Sequence, residues 1–117
     1  MTDTIVKGTL EAPAKTRGLN VFGVEINVLL TGADTGGAYA MYDVVVPPGG
    51  GPQPHVQSRE DEAFYVVEGT IEILRGDTVT TAGPGDHILI PVGTRHAFCN
   101  VGESTSRMVG IASPSGH

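Results

Sequence analysis

The stretch GGGPQPHVQSREDEAFYVVEG, residues 49–69, decides how this chain folds. It begins with a loop of glycines and prolines, turns at the charged segment SRED, and continues into the apolar run AFYVV. Apolar runs rich in β-branched and aromatic residues, bounded by Gly and Pro, are typical of short strands joined by turns. His55 and Gln57 are two residues apart on an extended segment, so we expect their side chains to share a face. Glu62 stands where the next strand begins.

The same alternation of short strands and turns extends over most of the chain. The candidate strands are VEINVLL (24–30), AYAMYDVVV (38–46), AFYVV (63–67), TIEIL (70–74), TVTT (78–81), ILI (88–90), HAFCNV (96–101) and RMVGIA (107–112). The segment ADTGG (33–37) is predicted as a loop, and no window has a convincing helical period. With 17 glycines and eight prolines among 117 residues, turns are frequent. The pattern predicts an all-β sandwich or small barrel.

The length and the distribution of turns indicate one domain. Residues 1–18 are predicted to form an N-terminal arm with room for one strand, residues 19–113 the barrel, and residues 114–117 a short tail.

Composition excludes several classes of protein. Thirteen acidic residues against seven basic ones give a net charge of −6, which argues against partners such as nucleic acid or an anionic membrane. The single cysteine, Cys99, excludes an internal disulfide and zinc sites that need two or more cysteines. The first residues have no apolar signal segment, so we expect a cytoplasmic protein.

Three potential metal ligands lie near strand starts: His55, Glu62 and His96. Two imidazoles and a carboxylate form a donor set that suits a divalent transition metal with open coordination positions. Gln57 would add an amide oxygen as a fourth ligand. Taken singly, such residues are also common as hydrogen-bonded histidines at strand ends and as surface carboxylates, so the spacing alone leaves both readings open.

The stretch 49–69 resembles the first sequence motif of the cupin superfamily, with Gly49, His55, Glu62 and Gly69 at the motif's spacing. The stretch GDHILIPVGTRHAFCN, residues 85–100, resembles the second motif. Its matching residues are Gly85, Pro91, Gly93, His96 and Asn100. Within the superfamily, the chain is similar to small single-domain cupins described as quercetin-dioxygenase-like.

The resemblance implies a double-stranded β-helix, or jelly roll, with a metal site inside the barrel. It assigns His55, Glu62 and His96 as metal ligands, whereas Gln57 stands where the motif has its second histidine. An amide oxygen is a weaker donor than imidazole for late transition metals. Three outcomes follow: Gln57 ligates weakly, it hydrogen-bonds a water or substrate, or the metal site is lost.

Period-two alternation extends the candidate site into a pocket. If Glu62 points inward, so do Phe64 and Val66, and Phe98 follows His96 in the same way. These side chains predict a lining for an aromatic or otherwise apolar substrate, although small barrels often have a filled interior instead. Either Met41 or Tyr42, on opposite faces of one strand, should join the lining. Asn100 is predicted to brace the backbone or to support a ligand.

Two functions compete at this point. The first is a metal-dependent enzyme, dioxygenase-like by resemblance, which would hold Fe, Mn, Ni, Zn or Cu and act on a small organic substrate, with Glu62 as ligand or catalytic base. The alternative is a non-catalytic small-molecule-binding cupin whose metal site is weakened or absent. The resemblance also implies a homodimer, with an N-terminal strand added to a neighbour's sheet.

Overall fold

The computed structural model describes residues 16–114, and the predicted arm before Thr16 and the end of the tail lie outside this range. The described chain consists of β-strands and one short helix. The strands are β1 (Thr16–Val21), β2 (Val24–Leu30), β3 (Ala40–Val46), β4 (His55–Val56), β5 (Asp61–Glu68), β6 (Ile71–Arg75), β7 (Thr78–Ala82), β8 (His87–Ile90), β9 (Arg95–Cys99) and β10 (Ser106–Ser113). The all-β prediction is therefore confirmed. Within residues 16–114, no helix is long and apolar enough to cross a membrane.

The strands form two antiparallel sheets. The larger sheet has the order β1-β2-β3-β10-β5-β8, and the smaller one has the order β4-β9-β6-β7. Neighbours in the sheets are often distant in sequence, as where β10 lies between β3 and β5. This arrangement is the double-stranded β-helix that the resemblance implied.

The core lies between the two sheets. β10 shows why, because its residues alternate strictly between buried and more exposed positions, as expected for a strand with one face on the core. The buried side chains that form one cluster are Val24, Val44, Val46, Val66, Ile71, Ile73, Ala82 and Met108. The cluster draws on both sheets, so its apolar contacts hold them face to face.

The segment predicted as a loop at residues 33–37 overlaps a one-turn 3-10 helix, Gly32–Thr35. Thr31 and Asp34 explain it. The Thr31 hydroxyl accepts from the Asp34 N–H, and the Asp34 carboxylate accepts from the Thr31 N–H at 2.8 Å, which is a capping box. Gly36 then ends the turn with a positive φ of 67°.

Asn100 joins the end of β3 to the loop that leads into β10. Its side chain is 1% exposed, and its amide group donates to Val46 O at 2.9 Å and to Ser104 O at 2.7 Å. Its Oδ1 accepts from the Gly102 N–H. All three partners are backbone groups, so Asn100 braces the backbone, the first of the two roles that the sequence left open.

Candidate metal centre

Strand pairing places the two histidines side by side. In the smaller sheet, β4 pairs with β9 so that His55 lies directly opposite His96. Their ring centroids are 4.3 Å apart. Glu62 comes from the larger sheet, where β5 runs between β8 and β10. The three side chains therefore meet across the barrel interior, with ligand atoms that all lie within 4.8 Å of one another.

Each histidine is oriented by a backbone carbonyl. The Nδ1–H of His55 donates to Gln53 O at 2.9 Å, and the Nδ1–H of His96 donates to Thr94 O at 2.9 Å. A carbonyl oxygen only accepts, so these contacts fix the proton on Nδ1. In the neutral rings, both Nε2 lone pairs are then available as ligands, which is the arrangement found around metal-binding histidines.

The carboxylate of Glu62 faces one of these lone pairs. Glu62 Oε1 lies 2.9 Å from His96 Nε2, yet this buried oxygen accepts no hydrogen bond within the described chain. Two acceptors at this distance repel each other unless a proton or a cation lies between them. The side chain of His96 is 3% exposed and that of Glu62 is 21% exposed, so water has only limited access to the contact. The donor set therefore fits a bound cation.

Gln57 lies at the edge of this group. β4 ends at Val56, and the Gln57 amide donates to Glu60 Oε1 at 3.3 Å while its Oε1 accepts from the Arg59 N–H at 3.3 Å. Both contacts are with the following turn, and the residues that line the neighbouring cavity do not include Gln57. Its role as a fourth ligand stays a prediction.

The three clustered residues lie at one side of a cavity of about 270 Å³, near the lower end of the range of ligand sites. Twelve residues line it: Val21, Phe22, Val24, Ile26, Tyr42, Val44, Pro52, His55, Glu62, Phe64, His96 and Phe98. Apart from the candidate ligands and the Tyr42 hydroxyl, the walls are apolar. The interior is thus not filled, which was the alternative to a pocket.

The pocket residues predicted by alternation divide into two groups. Phe64 and Phe98 line the cavity, with ring centroids 5.7 Å apart. Val66 does not line it, because it is 1% exposed and belongs to the core cluster farther along β5. Between Met41 and Tyr42, the structure places Tyr42 in the wall.

Sequence reasoning missed the wall that β1 and β2 supply. Val24 and Ile26 alternate with the polar residues Glu25 and Asn27, a signal that could have identified an inward face on β2. Phe22 lies in the turn before β2, and nothing in its own spacing connects it to the histidines.

Tyr42 is the tyrosine in the cavity wall, and its surroundings change the pKa of its phenol. The pKa of Tyr42 is raised, first by burial of its side chain and then by the negative charges of Glu60 and Glu62. Tyr42 therefore stays protonated at neutral pH and offers an O–H donor toward the cavity.

Comparison with known proteins concerns the family of the chain. The family model described as the Cupin domain matches residues 42–112. A germin-like protein, subfamily T member 3, of Arabidopsis thaliana is 36% identical over 77 residues, which are 62% of this chain and 34% of that protein. The polyketide synthase CurC of Streptomyces cyaneus is 33% identical over 94 residues, which are 79% of this chain and 60% of that protein. This chain thus spans less than two thirds of the length of these relatives.

A solved structure shows the same fold at lower identity. The polyketide cyclase RemF from Streptomyces resistomycificus aligns with a TM-score of 0.75 and 23% identity, over 94% of this chain and 80% of that one. At this identity, the likeness concerns the architecture of the barrel.

Proposed function

The chain belongs to the cupin family, and from that premise we propose that it is a metal-dependent enzyme acting on a small aromatic compound inside the barrel. One observation carries the proposal. His55, Glu62 and His96 bring potential ligand atoms within 4.8 Å of one another in the wall of an otherwise apolar cavity. A binding module that used only the apolar walls would have no need of a carboxylate whose buried Oε1 faces an imidazole nitrogen.

The donor set favours a divalent transition metal such as Fe, Mn, Ni, Zn or Cu. Such an ion, when bound, would supply Lewis acidity to a substrate oxygen and open coordination positions. The protein residues supply the rest. The carbonyls of Gln53 and Thr94 keep the two imidazoles in the ligating tautomer. Glu62 completes the donor set from the opposite sheet.

The walls of the cavity determine what enters it. Phe64 and Phe98 offer tilted aromatic faces, which suit a planar substrate and exclude water from its reactive end. Tyr42 can donate a hydrogen bond to a substrate carbonyl or phenolate oxygen. Glu62 is the carboxylate within the cavity, and we propose that, where a substrate displaces it from the metal, it would act as the base that removes a proton from an acidic C–H or O–H of that substrate.

Two of the similar proteins bear polyketide names, and this supports a substrate with the carbonyls and phenols of an aromatic polyketide. Two reactions are therefore predicted as alternatives: the dioxygenase reaction implied by the sequence resemblance, and a proton-transfer reaction such as cyclisation. Oxygen uptake separates the two, because only the dioxygenase consumes O₂. The homodimer likewise stays a prediction.

Metal-dependent turnover tests the proposal. Metal-free protein is reconstituted with Fe, Mn, Ni, Zn or Cu singly and incubated, with and without O₂, with hydroxynaphthoquinones and linear poly-β-ketones. We expect at least one metal to give product formation that a chelator abolishes. Tight, chelator-insensitive ligand binding with no turnover under any metal would instead support the non-catalytic alternative.

The phenol of Tyr42 provides a pH-dependent test of the site's electrostatics. Because its pKa is raised, the neutral form contributes stability fully below the ordinary value near pH 10, and this contribution is lost as the pH rises through the folded-state pKa. The experiment follows phenolate absorbance against pH in the parent and in Tyr42→Phe. Subtracting the two curves should leave the ionisation of one phenol, with its midpoint above pH about 10. A difference curve centred at or below that pH would contradict the burial of Tyr42 near Glu60 and Glu62.

A further inference from the structure

An aromatic residue occupies an unfavourable backbone position at the rim of the cavity. Val21 pairs with Val24, so Phe22 and Gly23 form a two-residue hairpin turn. Their φ angles are 52° and 76°, the signs that define a type I′ turn. Asn, Asp and Gly are the residues that favour the first central position of this turn, whereas a bulky side chain is a conformational outlier there. Within residues 16–114, Phe22 is the only non-glycine residue with a positive φ.

The glycine loop, residues 49–54 before His55, holds this turn in place. The Gly51 N–H donates to Phe22 O at 3.2 Å, and a Cβ on Gly50 would lie 2.8 Å from Gly23 O. On its other side, the loop is fixed to the end of β9, because the Gly49 N–H donates to Asn100 O at 2.8 Å. The turn is therefore fastened to the same loop that leads into the metal ligands.

Burial does not explain why an aromatic side chain is kept there. Phe22 is 67% exposed, so its ring adds little to the core. Yet it lines the cavity, as do Phe64 and Phe98, and the chain has three phenylalanines in all. Every phenylalanine of this protein therefore faces one cavity, two deep in the barrel and one at the rim.

We propose that Phe22 is a specificity-determining residue, whose ring stacks on the outer part of a planar, fused-ring aromatic substrate while the inner part lies between Phe64 and Phe98. This inference rests on the proposed function and names its substrate class. Strained backbone at a ligand site is retained when the side chain it presents contributes to binding. Offset stacking on an exposed ring also discriminates planar from saturated ligands of similar size.

The test separates turn stability from ligand recognition. Phe22→Asn supplies a residue that the turn favours, so the melting temperature should rise or stay unchanged. The affinity for 2-naphthol, measured by calorimetry with Zn²⁺-loaded protein, should fall at least about fivefold because the stacking face is lost. Phe22→Leu keeps an apolar side chain, so it should weaken 2-naphthol binding but leave binding of the saturated analogue decahydro-2-naphthol within about twofold. Tyr65→Leu, a change at an exposed aromatic residue that does not line the cavity, is the matched control.

The outcomes distinguish this inference from the proposed function. Unchanged 2-naphthol affinity in both Phe22 variants, or no measurable 2-naphthol binding by the parent, overturns the role of Phe22. Equal losses for 2-naphthol and its saturated analogue in Phe22→Leu overturn it as well. A separate Zn²⁺ titration should give equal affinities in parent and variants. If the parent binds none of the divalent ions of Fe, Mn, Ni, Zn and Cu but Phe22→Asn still weakens 2-naphthol binding, the proposed metal enzyme fails while the recognition role of Phe22 stands.

Discussion

His96→Ala is expected to lower the affinity for a divalent metal by about 100-fold or more, equivalent to about 2.7 kcal/mol. The substitution removes one of three clustered ligands and the imidazole that faces Glu62 Oε1. Without His96, the buried Oε1 of Glu62 also loses the imidazole with which it would share a bound cation. We expect the variant to fold, because the side chain of Glu62 is 21% exposed and is therefore partly solvated.

Calorimetric titration with one metal in one buffer checks this result, and two variants serve as controls. His87→Ala removes an exposed histidine on β8 and should leave the affinity unchanged. Gln57→Ala should have a much smaller effect than His96→Ala, since its amide already bonds the adjacent turn. If His96→Ala binds as tightly as the parent, the three clustered residues do not form a metal site. An effect of Gln57→Ala as large as that of His96→Ala would make Gln57 a full fourth ligand.

The sequence specified the fold through features that act locally. Glycines and prolines divided the chain into strands, and alternation placed Glu62 and Phe64 on the same face of β5, where both line the cavity. These signals depend only on neighbouring residues, so they survive without knowledge of the tertiary structure. The one-turn helix at Gly32–Thr35 was missed because its capping pair, Thr31 and Asp34, also suits an ordinary turn.

The candidate metal ligands were predictable because motif spacing identifies them. The parts of the cavity wall that depend on contacts between distant elements were not. The motif spacing singled out His55, Glu62 and His96, and the structure places them together. Alternation alone also assigned Val66 to the pocket. Alternation gives the face of a strand, but it does not say whether a position on that face lies at the cavity or, like Val66, in the core cluster. The position of Phe22 depends on a left-handed turn packed against a distant loop, which residue type does not predict.

The glycine loop that links these parts should tolerate substitution poorly. Gly51 has a φ of +144°, and a Cβ at this position would overlap Phe98 O and lie 2.8 Å from Phe98 C. Both are backbone atoms of β9, which cannot move away without breaking its pairing with β6. We expect Gly51→Ala to lower the free energy of unfolding by about 4 kcal/mol or more, because backbone strain and a steric clash combine.

Gly36→Ala is the matched control for Gly51→Ala in urea unfolding experiments. Gly36 also has a positive φ, of 67°, but nothing lies within 4 Å of where its Cβ would be. Its substitution should therefore lower the free energy of unfolding only through backbone strain, by about 1 kcal/mol. Because Gly51 donates to Phe22 O, the Gly51 variant should also lose affinity for 2-naphthol, whereas the Gly36 variant should not. Equal destabilisation by the two substitutions would show that the close approach of the loop to β9 does not exist in solution, and the fixed rim of the cavity would then lack its support.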